Sequence, residues 1–215
     1  VEEKMDAQFW QHRWESREIG FHLSDTNPFL VKHFDAMSLT AGHTVFLPLC
    51  GKTRDIAWFL SKGVKVVGAE LSRRAVEQLF NELGLVPVMT SKGGIEVFSA
   101  ADIEIHNGDF FTLTASDLGP VDAVYDRAAL IALPREMREP YVAHLMEVTK
   151  QAKQLLITLD YDQHLMPGPP FSVTAEEVRQ HYEDCYKVSL LGDYPIEGGV
   201  KGRCPGNEKV WLLEG

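Results

Sequence analysis

Val45-Phe46-Leu47-Pro48-Leu49-Cys50-Gly51-Lys52 opens a stretch that closes, after an amphipathic segment, on Val64-Lys65-Val66-Val67-Gly68-Ala69-Glu70-Leu71-Ser72. The two apolar runs read as strands over 44–49 and 64–69. Between them the pattern predicts a helix over about 53–62 that Gly63 stops. A strand, tight turn, helix and second strand ending on a carboxylate form a unit suited to holding a ribose. Glu70 stands 19 residues after Gly51, the spacing such a unit gives its acidic residue. The turn itself is unusual, because Gly51 is its single glycine where a dinucleotide loop carries three.

The rest of the chain continues the alternation. Ser72 reads as an N-cap, followed by Ala75, Val76, Leu79, Phe80 and Leu83 as a buried stripe that ends before Gly84. Residues 86–107 carry short alternating runs with a turn at Gly93-Gly94, a small hairpin leading into a third strand that ends at Gly108-Asp109. A fourth strand over 121–125 ends at Asp126-Arg127. A helix over 134–150 follows, with Pro140 either in its first turn or kinking it. A fifth strand covers 154–160, and Pro167-Gly168-Pro169-Pro170 is loop. A helix near 174–184 and an antiparallel hairpin of strands 186–191 and 208–213 finish the chain. At the other end, Met5, Phe9, Trp10 and Trp14 mark an amphipathic helix over 4–16, and a second helix is predicted near 28–37. The fold expected is α/β: a doubly wound, mostly parallel sheet with ligands at the carboxyl ends of its strands, a terminal antiparallel hairpin and an N-terminal helical cap over residues 1–40, all in one domain over 1–215.

A net charge of −10, with no cluster of lysine and arginine, excludes a polyanion partner and leaves small molecules. The 45% hydrophobic and 24% charged fractions are those of an ordinary globular protein. Cys50, Cys185 and Cys204 have neither disulfide pairing nor metal-ligand spacing, which suits a reducing, cytoplasmic setting and a site without metal. No apolar run is long enough to span a membrane, and no surface stripe beyond the aromatic cap calls for a dimer, so a monomer is expected.

Four strand ends bring candidate residues to one rim. Gly51 lets backbone approach a ligand beside a helix N-terminus, or is a plain turn glycine. Glu70 accepts ribose hydroxyls, with a surface or helix-terminal glutamate as the ordinary alternative. Asp109 and Phe110 read either as an adenine edge and face contact or as an N-cap followed by core phenylalanines. Asp126-Arg127 is poor core material before Ala128 and Ala129, and reads as a site pair or as a structural salt bridge. Trp10, Trp14 and Phe21 are core residues of a cap, or walls of a dry pocket for a planar ligand. Cys50 beside a helix N-terminus could be a nucleophile, but no histidine is placed to serve it and a buried apolar cysteine is the simpler reading.

Taken in order, Phe9-Trp10-Gln11-His12-Arg13-Trp14, Gly20-Phe21-His22, Leu47-Pro48-Leu49-Cys50-Gly51-Lys52, Val66-Val67-Gly68-Ala69-Glu70-Leu71-Ser72, Tyr125-Asp126-Arg127-Ala128-Ala129-Leu130, Tyr161-Asp162 and Pro167-Gly168-Pro169-Pro170-Phe171 closely resemble the thiopurine S-methyltransferases over nearly the whole chain. The resemblance implies a class I, S-adenosylmethionine-dependent fold that moves a methyl group to the sulfur of aromatic or heterocyclic thiols. Bacterial members are also associated with selenium or tellurium species. It implies that Trp14, Leu49, Gly51, Glu70, Asp109, Phe110 and Arg127 hold the cofactor. Trp10, Phe21 and Arg127 would line the acceptor side, and Arg127 with Asp126 would serve the transfer. Animal members carry a serine-isoleucine pair where this chain has Asp109-Phe110.

Transfer from a sulfonium to a thiolate is an in-line displacement that cancels charge. An aromatic thiol is acidic enough to need no strong base, so proximity, orientation and a dry pocket carry the rate. Arg127 is expected to favour an anionic acceptor or to orient the cofactor carboxylate, with Asp126 at least positioning it. Two other classes fit parts of the pattern. A nicotinamide-dependent oxidoreductase would also use Glu70 but lacks its three-glycine loop here. A non-enzymatic small-molecule-binding module would use the aromatic N-terminus to dock a partner.

Overall fold

The computed structural model describes residues 25–92 and 94–215. Among them, strands β1 (Thr44–Leu47), β2 (Lys65–Glu70), β3 (Val88–Lys92), β4 (Ile95–Ala100), β5 (Ile103–Asn107), β6 (Ala123–Arg127), β7 (Lys153–Tyr161), β8 (Lys187–Pro195) and β9 (Gly206–Glu214) form one sheet in the order β3-β4-β5-β2-β1-β6-β7-β9-β8. The central β5, β2, β1, β6 and β7 run parallel. Both edges are antiparallel: β3 and β4 on one side, β9 and β8 on the other. The chain builds outward from β1 to β2 and β5, then returns to place β6 on the other flank of β1. That reversal opens a crevice at the carboxyl ends of β1 and β6, the usual ligand position in such sheets.

Side chains alternate across the pleat and sort the core into two layers. Val45, Leu47, Val66, Ile105, Tyr125 and Ile157 pack under α1 (Pro28–His33), α2 (Asp55–Ser61) and α3 (Arg73–Leu83). Phe46, Val124, Leu156 and Trp211 face α4 (Ala115–Leu118), α5 (Arg135–Thr149) and α6 (Ala175–Tyr182). Ser72 caps α3 as its sequence suggests, its Oγ accepting the Ala75 N–H at 3.3 Å, and Gly84 ends the helix at φ +67°. Pro140 lies inside α5, beyond its first turn, where the helix forgoes one backbone bond.

Three details refine the sequence reading. Residues 88–107 form a three-stranded antiparallel edge, with β5 as the strand that joins the parallel core. The predicted helix over 28–37 is α1 followed by a 3-10 turn at Phe34–Met37, and both bury apolar residues on the first layer. The fourth strand extends to Arg127 instead of stopping at 125, so Asp126 and Arg127 belong to the pleat and point to opposite faces. The helix expected over 4–16, and with it Trp10, Trp14 and Phe21, lies outside the described residues. No helix among the described residues is long and apolar enough to cross a membrane.

Candidate active site

The rim is built around a glutamate that the sheet itself holds in place. Glu70 ends β2 and is 6% exposed. Its Oε2 accepts the Gly51 N–H at 2.7 Å and its Oε1 accepts the Ser72 N–H at 2.7 Å, so one carboxylate joins the turn after β1 to the start of α3. The Glu70 main-chain carbonyl accepts bonds from Asn107 Nδ2 at 2.8 Å and the Gly108 N–H at 3.1 Å, which docks the end of β5 against it. A carboxylate has about four lone-pair sites, and the backbone bonds from Gly51, Ser72 and Leu71 still leave it acceptor capacity to spare. That spare acceptor capacity fits the hydroxyl donors of a ribose, and so fits an adenosyl cofactor.

Burial pushes the Glu70 carboxyl up from its ordinary 4.5 to about 7, opposed by the backbone bonds from Ser72, Gly51 and Leu71. A carboxyl raised in the folded state supports folding fully below its unfolded value, and that support is lost as pH rises through the folded value. Glu70 therefore costs the ligand-free protein up to about 3 kcal/mol between roughly pH 4.5 and pH 7. Glu70→Gln removes that titration. The melting temperature of the parent minus that of the variant is expected to fall as pH rises across this window. A difference that stays constant over the same buffers, measured by scanning calorimetry, would show that Glu70 titrates normally.

The turns that flank the crevice are conformationally costly. Gly51 sits at φ +54°, but so does Leu49 at +46° before it, and Ala128 at +64° follows β6. A left-handed backbone costs a non-glycine residue about 1–2 kcal/mol, and such residues gather at functional sites. The two strained side-chain-bearing residues follow the adjacent central strands β1 and β6. Gly68 serves a different need. A Cβ there would lie 2.7 Å from Ile105 Cδ1 and 2.9 Å from Cys50 Sγ, so its absence lets the Cys50 side chain tuck beneath β2.

Asp109 and Phe110 lie at the end of β5 as a turn cap and a buried ring. Asp109 Oδ1 accepts the Phe111 N–H at 3.0 Å and caps a 3-10 turn over Phe110–Thr112. Phe110 is 2% exposed, packed among Phe46, Tyr141 and His144 with ring centroids 6.3, 5.3 and 4.9 Å away. The exposed ring at this strand end is Phe111.

Asp126 and Arg127 divide by the pleat. The Asp126 carboxylate is fully buried in the second layer, where Oδ2 accepts the Tyr141 O–H at 2.7 Å and Oδ1 the Leu130 N–H at 3.1 Å. Burial raises it to about 6. It therefore holds the Ala128–Leu130 turn to α5, and its carboxylate is directed away from the first-layer face that Arg127 joins. Arg127 is half-buried on that face with Tyr125, and its charge also reaches Glu208 of β9.

Sequence reasoning passed over Asp55, the first residue of α2. It is 1% exposed; Oδ1 accepts the Asn27 N–H at 2.7 Å and Oδ2 the Tyr125 O–H at 3.0 Å. One carboxylate thus ties the entry to α1, the helix after the Gly51 turn, and β6 two residues before Arg127. An aspartate in a helix first turn looks like routine charge–dipole placement, so its spacing gave no sign of this junction.

A profile of the thiopurine S-methyltransferase family matches residues 5–211. The chain is similar to the thiopurine S-methyltransferase of Xanthobacter autotrophicus, 54% identical over 211 residues that span 98% of this chain and 99% of the relative. It is 46% identical to the thiopurine S-methyltransferase of Gluconobacter oxydans, over 98% of this chain and 96% of that one. Among solved structures, magnesium protoporphyrin IX methyltransferase from Synechocystis, with S-adenosylhomocysteine bound, superposes with a TM-score of 0.64 at 13% identity, covering 98% of this chain and 100% of that one. At that identity the likeness speaks for the fold.

Proposed function

The chain belongs to the thiopurine S-methyltransferase family, and from that premise we propose that it methylates the sulfur of a small aromatic or heterocyclic thiol, as a single-domain cytosolic monomer. It is an S-adenosylmethionine-dependent methyltransferase with a class I fold, which leaves no place for the nicotinamide reading. The observation that carries the assignment of the site is the Glu70 carboxylate, bonded to Gly51 and Ser72 with acceptor capacity to spare.

When bound, S-adenosylmethionine supplies a methyl group on a sulfonium centre. Glu70 would hold the ribose and Gly51 would let the turn backbone lie against the ligand. Leu49, which packs on the second-layer core, would wall the crevice from that side. Asp109 and Phe110 would border the adenine through their backbone, and Trp14 would cover the cofactor. Trp10 and Phe21 belong to the acceptor side in this reading. Arg127 would stabilise an acceptor thiolate on the first-layer face, where a guanidinium near developing or departing charge acts most strongly in a dry site. Asp126 supports the turn that follows Arg127 and takes no proton. The unpaired cysteines Cys50, Cys185 and Cys204 support a reducing compartment.

The test is a panel of benzenethiols, heterocyclic thiols, the matching phenols and benzeneselenol, each incubated with protein and S-adenosylmethionine and analysed by mass spectrometry. Methyl thioethers, and selenoethers from the selenol, are expected to form at least about tenfold faster than methyl ethers. Methylation confined to oxygen or nitrogen, or none on any acceptor, would overturn the sulfur assignment.

A further inference from the structure

Arg127 carries a long, flexible side chain, and an arginine that must meet an acceptor needs a restraint. Asp126, its neighbour in sequence, is committed to Tyr141 and Leu130 in the opposite layer. The sheet register points to another carboxylate. Arg127 pairs with Ile157 of β7, Ile157 pairs with Val210 of β9, and Glu208 stands two residues from Val210 on the same face. Since β9 runs antiparallel, Glu208 lies opposite Leu159, farther toward the carboxyl-end rim than Arg127. Two strand spacings of about 4.8 Å and two residue rises of about 3.3 Å separate their backbones, a gap that an extended arginine and glutamate together cross.

The electrostatics agree with that placement. Burial pushes the Glu208 carboxyl up while the Arg127 charge pulls it down, and the same two charges act in opposite senses on the Tyr125 hydroxyl between β6 and α2. On its far side Glu208 pairs in register with Tyr194 of β8. That ring stacks on Phe29 at 4.4 Å and its hydroxyl meets His33 Nε2 at 2.9 Å. Glu208 thus shares a sheet face with Arg127 across β7 and stands beside a fixed aromatic wall on β8.

We propose that Glu208 is a positioning residue that holds the Arg127 guanidinium at the acceptor side of the crevice. The inference rests on the reading of Arg127 given above. Its test is a double-mutant cycle of Arg127→Ala, Glu208→Gln and the double variant. Each is followed by kcat and KM with a benzenethiol and by calorimetric binding of that thiol to cofactor-free protein. Glu208→Gln is expected to lower kcat/KM about tenfold in the parent and less than twofold in the Arg127→Ala background. Thiol affinity should follow the same pattern, with S-adenosylmethionine affinity and melting temperature kept. Glu208→Asp, which retains the charge on a shorter arm, should recover part of the loss and guards against a glutamine variant that folds poorly.

An equal loss in both backgrounds would show that Glu208 does not act through Arg127, and no loss in the parent would show that it does not act at all. Either result overturns the proposal while leaving Arg127 in place. Parental kinetics for Arg127→Ala alone would instead remove the role of Arg127, and this inference with it.

Discussion

Glu70→Ala is expected to weaken S-adenosylmethionine binding by more than a hundredfold, read by isothermal titration calorimetry. Two effects add. The ribose hydroxyls lose a charged acceptor, and hydrogen bonds to charged groups are worth about 1.5–3 kcal/mol each, so a pair exceeds the roughly 2.7 kcal/mol that a hundredfold represents. The variant also frees the Gly51 and Ser72 N–H groups that Glu70 holds at 2.7 Å, loosening the turn that the cofactor must meet. Glu70→Gln separates the two. Its amide oxygen still accepts one backbone bond, but its NH2 group faces the other donor, so an intermediate loss is expected. Because hydroxyl donors favour the ionised carboxylate, affinity in the parent should rise as pH passes upward through about 7. Equal affinity in parent and alanine variant would show that the ribose is held elsewhere.

Arg127→Ala is expected to reduce kcat/KM for an aromatic thiol by about a hundredfold, the scale seen when a single donor to a charged reacting atom is removed. Arg127 is half-buried at the end of β6. Melting temperature should therefore change far less than rate. Arg127→Lys retains the charge without the planar fork and should recover only part of the loss. Steady-state parameters indistinguishable from the parent would remove Arg127 from the reaction.

The βαβ unit over 45–72 was legible because its signals are local: apolar runs, a turn glycine, an N-cap and a carboxylate at a fixed spacing. Glu70 and Gly51 come together in the structure as that pattern implies. Phe110 shows where local pattern stops. Two consecutive phenylalanines after a cap look alike in sequence, and only packing against Tyr141 and His144 decides that the first is core and Phe111 is rim. Asp126 looked like a partner for Arg127 because the two are adjacent, yet extending β6 by two residues turns adjacency into opposition across the pleat. Asp55 and Glu208 were invisible for a related reason. Each acquires its partners through strand order and layer packing over long sequence separations, as between Asn27, Asp55 and Tyr125.

Cys50 gains significance from the reagent that its neighbours would handle. A thiol beside an alkylating sulfonium is a target for slow self-inactivation, and the reactive form of a thiol is its anion. Here Sγ sits in the space that Gly68 leaves by having no side chain. The residue is 8% exposed, and burial together with the Glu70 charge pushes its ionisation well above the ordinary range. Burial first, and the Glu70 carboxylate proposed to receive the ribose second, thereby keep this cysteine protonated and chemically quiet. A bulkier residue at position 68 would displace that thiol, exposing the enzyme to damage by its own methyl donor over many turnovers.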